Sequence, residues 1–123
     1  MLFRNCLFLI ILILSFGQSL YAAPVSHAND DADHLSRLVR EASDYQSHGY
    51  RGQAVALLEQ ADRLAARLGI DQNDTGLQLA QLYYELGEYS LSQNLTTRIL
   101  DQEPPIGIQA KALNILAAVE STL

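Results

Sequence analysis

A chain of 123 residues with 14 acidic against 8 basic side chains, at a formal charge of −6, lacks the clustered cations that a nucleic-acid backbone requires. Its one cysteine, Cys6, excludes an internal disulfide, so stability must come from packing within one modest core. The acidity serves solubility.

The N-terminal segment, 1–22, differs in design from the rest. Met1–Asn5 carries one cation, Arg4; Cys6–Phe16 is apolar except for Ser15; and Gly17, Gln18 and Ser19 end the run. Tyr21-Ala22-Ala23-Pro24 then closes on small residues. This basic, apolar, small-residue order predicts a secretory signal peptide over 1–22, cut after Ala22. The run is short of the ~20 residues of a membrane-spanning helix, so no stable membrane insertion is expected after cleavage. The expected location is outside the cytoplasm, periplasmic or secreted; an uncleaved anchor is the alternative. Cleavage would remove Cys6, Met1 and all three Phe, and the chain has no Trp.

Residues 23–33 are polar and unpatterned and read as a flexible leader, in which Asp31 or Asp33 would cap the first helix. From residue 34 onward, Leu35, Leu38, Val39, Ala42 and Tyr45 follow the spacing of an amphipathic helix, which Gly49 stops. A second helix from about Gly52 to Leu68 carries Val55, Leu58, Ala61, Ala65 and Leu68, and Gly69 ends it. A third begins near Asp71–Asp74, with Leu79, Ala80, Tyr83 and Leu86 on its apolar line, and ends at Gly87. The fourth holds Leu91, Leu95, Ile99 and Leu100 before Pro104-Pro105. The fifth runs from about Ile108, with Ala112, Leu116 and Val119 on one face. No segment alternates as a strand would. Five helices joined by short turns imply antiparallel hairpins.

The order is also repetitive. Ala42-x-x-Tyr45-x-x-x-Gly49 returns as Ala80-x-x-Tyr83-x-x-x-Gly87, and Leu113-x-x-Leu116-Ala117 answers Gly76-x-x-Leu79-Ala80 at nearly the same interval. The small Ala42 and Ala80 suit a close approach of two helices, with Tyr45 and Tyr83 filling space beside them. Ala54 and Ser92 take the matching places on the second and fourth helices. With Pro104 closing the second pair, these features resemble the tetratricopeptide repeat family. The "LAARLG" segment, Leu64–Gly69, lengthens the period beyond the usual ~34 residues and resembles a bacterial variety. The resemblance implies an all-α fold over 34–123: antiparallel helix hairpins stacked as a short right-handed superhelix of about two and a half repeats.

It also implies a concave surface made by the first helix of each repeat, which grips a protein or peptide partner. By register that surface contains Val39, Ser43 and Gln46, then Leu77, Gln81, Tyr84 and Glu85, then Lys111 and Asn114. Tyr84 directly follows Tyr83, so both cannot face one core, and an exposed Tyr is a favoured anchor. A carboxylate clamp of the family's chaperone-binding type would have only Lys111 and Asn114 here. The last helix is of the first type and the sequence stops at Leu123, so Ile108, Leu113, Leu116 and Val119 are expected to be adhesive, through a homodimer or a larger partner.

Chemistry-bearing patterns are few. His27, Asp30, Asp31, Asp33 and His34 are competent metal ligands without fixed geometry, and read as a solvated leader. His48 suits the end of a helix dipole. Glu85 and Glu88 read as an acidic turn. No nucleophile triad, phosphate loop or metal-spaced pair is present, so neither catalysis, metal nor cofactor is expected. The alternatives are a part of a longer array serving an enzyme domain, such as the caspase-like CHAT proteases, and a small hydrolase without recognisable motif.

Overall fold

The computed structural model describes residues 27–123, and these are helical throughout apart from the short turns, without a strand among them. The signal-peptide segment lies outside the described residues. Helix α1 covers 27–47, α2 Arg51–Leu68, α3 Asn73–Glu85, α4 Tyr89–Asp101 and α5 Ile106–Thr122. No helix among the described residues is long and apolar enough to cross a membrane.

Residues 27–34 belong to a separate unit and are helical and exposed. This corrects the reading of 23–33 as a flexible leader: 27–33 are helical, and Asp31 and Asp33 lie inside α1 rather than at its cap. Ala28, Ala32 and the intervening polar residues lack a helix breaker, so nothing stops the helix there.

Residues 35–123 form the compact unit. Each helix from α2 onward packs on the next, and α3 also packs on α5. Contact between helices two apart in the chain is what a stack of hairpins produces and a lone hairpin cannot. Leu38 of α1 packs with Ala61 and Leu64 of α2, and the larger core joins Ala42, Ala54, Leu58, Leu79, Ala80, Leu82, Ile99, Ala112 and Val119.

The two hairpin turns are copies in the register of the repeated phrase. Gly49 N–H donates to Gln46 O at 3.0 Å and Tyr50 N–H to Tyr45 O at 2.9 Å; Gly87 N–H donates to Tyr84 O at 3.0 Å and Glu88 N–H to Tyr83 O at 2.8 Å. This pair of bonds closes a helix end through a left-handed residue. Gly49 at φ 82° and Gly87 at φ 79° supply it, where a side chain would strain the backbone. The residues that follow, Tyr50 (φ −85°, ψ 68°) and Glu88 (φ −82°, ψ 61°), also match. So do the small residues: Ala42, Ala54, Ala80 and Ser92 are all buried, and Ser92 Oγ donates to Ala80 O at 2.8 Å across the crossing.

Several expected core positions differ. Tyr45 is exposed and packs T-shaped against the Tyr50 ring. Leu86 and Leu91 are exposed, being at a turn and in the first helical turn of α4. Leu64, Leu77 and Leu82 are buried though absent from the expected apolar lines; for the two on α3 the reason is that this helix is covered on more than one side. On α5 the buried residues are Ala112, Ile115 and Val119, whereas Leu113 and Ala117 are exposed.

Candidate partner-binding groove

Helices α1, α3 and α5 line an open groove of about 640 Å³, bounded by Val39, Gln46, Asp74, Leu77, Gln78, Gln81, Lys111, Asn114 and Ile115. Six of the nine expected surface residues meet there: Val39, Gln46, Leu77, Gln81, Lys111 and Asn114. Regular helix spacing accounts for this. Leu77 and Gln81 stand at i and i+4 on α3, and Lys111 and Asn114 at i and i+3 on α5, so each pair shares a helix face.

The groove has two chemistries. Leu77 and Ile115 are buried and Val39 half-buried, forming an apolar floor. Gln46, Gln78, Gln81 and Asn114 bring carboxamides, each able both to donate and to accept. Asp74 and Lys111 add one charge of each sign from neighbouring helices.

Ser43, Tyr84 and Glu85 lie outside this lining. Ser43 is exposed and its hydroxyl donates to Val39 O, one turn back, at 3.1 Å. Tyr84 is half-buried against the core and tilts onto the Tyr89 ring, centroids 5.7 Å apart, which corrects its reading as a freely exposed anchor. Glu85 accepts from Arg51 Nε at 2.8 Å and from Gln81 Nε2 at 3.2 Å, so both its oxygens are engaged and it fixes Gln81 rather than standing free. The exposed Arg51–Glu85 pair is worth under about 1 kcal/mol; its effect is positional. His48 Nδ1 lies 2.7 Å from Asp44 O, at the end of α1 where the dipole reading put it.

Of the terminal-helix residues, Val119 is fully buried and Ile108 and Leu116 half-buried, on a helix that packs against both α3 and α4. Val119 is therefore a core residue and no part of an adhesive face. Leu113 is 48% exposed.

A second groove, of about 500 Å³, lies on the other side of α3, between α2 and α4. Glu59, Asp62 and Arg63 face Asn94 and Arg98 across Leu79 and Tyr83. Tyr83 Oη donates to Glu59 Oε1 at 2.6 Å, and Arg98 approaches Asp62 at 3.6 Å. Burial first, then the bond to Glu59 and the charges of Glu59 and Asp62, push the Tyr83 hydroxyl well above its ordinary value of 10.0; Arg63 acts in the opposite sense. These links join successive hairpins, and sequence reasoning missed them because partners so distant along the chain leave no local signal.

Among the described residues no group of three or more His, Cys, Asp or Glu converges as a metal site would. No family model matches the chain, and no curated protein and no solved structure matches it either.

Proposed function

We propose that this chain is a non-catalytic binding module of the tetratricopeptide type, exported behind its N-terminal segment, that holds an extended peptide stretch of a protein partner. One observation carries the reading: the groove gathers side chains from α1 and α3, the first helices of the two hairpins, and from α5, which answers them in register. An apolar floor beneath carboxamides suits an extended chain. Buried side chains of the peptide would meet Val39, Leu77 and Ile115, while its backbone N–H and C=O groups would be met by Gln46, Gln81 and Asn114. The structural repeat supports the family assignment, since the small residues matched by register, Ala42 with Ala80 and Ala54 with Ser92, are all buried.

Selection from a displayed library of random peptides tests this. Enriched peptides should bind the full chain and lose affinity tenfold or more on Gln81→Ala with Asn114→Ala, changes at a groove wall that leave the core intact. Peptides indifferent to both substitutions would contradict the assignment.

A further inference from the structure

Another cavity, of about 490 Å³, lies at the turn of the first hairpin and is lined by Glu41, Asp44, Tyr45, His48 and Tyr50. It is separate from the peptide groove: on α1, residues 41, 44, 45 and 48 fall about half a turn from 39 and 46. Two exposed rings wall it. Tyr45 and Tyr50 stand at 80° with centroids 6.3 Å apart, so they form a corner. The bond from Tyr50 N–H to Tyr45 O, at 2.9 Å, fixes its two sides across the Gly49 turn. Glu41 and Asp44, one turn apart, add two negative charges. Among the described residues no hydrogen bond or ion pair holds either carboxylate, and Arg51, next to Tyr50, is held by Glu85 at 2.8 Å. His48 Nδ1 donates to Asp44 O at 2.7 Å, so the neutral ring presents an acceptor at Nε2 rather than a rival cation.

The repeat shows that this chemistry is particular to the first hairpin. In the register of the shared phrase, Glu41 and Asp44 stand where α3 has Leu79 and Leu82, both buried, and Tyr50 stands where the second turn has Glu88. Tyr83, the counterpart of Tyr45, donates to Glu59 of α2. On α1 the same face is exposed. An apolar helix laid over it would bury two unpaired carboxylates, a cost that the leucines of α3 do not carry. Charge and aromatic faces together call for a cation.

We infer that this corner binds a quaternary ammonium ligand of the choline type, a small organic cation without a second charge. A cation seated in the corner lies within about 6 Å of both ring centroids, the reach of a cation–π contact. The methyl groups around its nitrogen need no hydrogen bonds and pack on the rings, while Glu41 and Asp44 balance the charge at the rim. The same carboxylates disfavour glycine betaine, whose own carboxylate sits close to its nitrogen.

Choline titrated into the isotope-labelled full chain tests this, followed through the ring protons of Tyr45 and Tyr50 and the amides of the turn. Saturable shifts centred on Tyr45, Gly49 and Tyr50 are expected, with a dissociation constant in the millimolar range because both rings are exposed. Tyr50→Leu should weaken binding about fivefold or more, and Glu41→Gln with Asp44→Asn should weaken it too. All three side chains are exposed, so the variants should keep the wild-type unfolding temperature. Choline without effect on these rings would overturn the inference, as would binding indifferent to Tyr50→Leu. Equal binding by the neutral isostere, with carbon in place of the quaternary nitrogen, would reduce the corner to an apolar patch and overturn it as well. Equal binding by glycine betaine or by methylamine would do the same, by removing the selection for a quaternary cation.

Discussion

Tyr45 and Tyr83 stand at the same place in the repeated phrase, yet Tyr83 alone of the two is tied down, by a 2.6 Å bond to Glu59. The repeat reveals the residue type; the neighbouring hairpin decides what it does. Because Tyr83 is held neutral in the folded state, its folded pKa exceeds the unfolded value of 10.0. Its contribution is thus full below about pH 10 and is lost as pH rises through the folded value. Urea unfolding at increasing alkaline pH should show a fall in stability that Tyr83→Phe reduces; an unchanged slope would contradict the coupling. Ala80 is fully buried with Ser92 Oγ against its carbonyl. Ala80→Leu should therefore cost about 1–3 kcal/mol by overpacking, read from the urea midpoint. The small residues Ala42, Ala54, Ala80 and Ser92 were legible in the sequence because repetition marked them. Tyr84 was not, since its placement depends on Tyr89, which lies across the turn in another helix.

The helices pair by complementary size rather than by identical residues. In the first hairpin Leu38 packs on Ala61; at the matching register of the second, Gly76 packs on Ile99. A Cβ added to Gly76 would come within 3.0 Å of Ile99 Cδ1. The large and small partners have changed places, with one methyl fewer in the second hairpin, which is why the repeat fades between Ala61 and Ile99 in sequence. Ile99→Ala should cost about 2–5 kcal/mol by leaving a cavity, and Gly76→Leu about 1–3 kcal/mol by overpacking. The double variant recreates the first hairpin's pairing and should lose less than the sum, with a coupling of about 0.5–3 kcal/mol. Strict additivity in a double-mutant cycle would show that the two do not share one space. Helix existence and all four turns were readable from periodicity, Gly and Pro. The early extent of α1 was not, because a polar stretch without a breaker gives no apolar pattern to read. The burial of Leu77 and Leu82 was also hidden, because a central helix is covered on more than one side and a single apolar face is the wrong template for it.

At the scale of the whole molecule, stacked hairpins bring residues as distant as Val39 and Asn114 to one groove. Register alone located six of its residues, since equivalent positions on α1, α3 and α5 must line the same side of a stack. Register could not locate the departures. Glu85 is drawn off by Arg51, and Val119 is buried in the core. The export proposed with this function has its own test. Intact mass of the protein recovered outside the cytoplasm should show loss of residues 1–22, whereas a chain still beginning at Met1 would mean that the segment is retained.

The most direct test of the groove is a map of amide chemical-shift changes when a library-selected peptide is added to the isotope-labelled chain. The expected map centres on Gln46, Leu77, Gln81 and Asn114, drawn from three helices at once. A map centred on Asn94 and Arg98, or on residues of one helix alone, would contradict the assignment of the α1–α3–α5 groove as the binding surface.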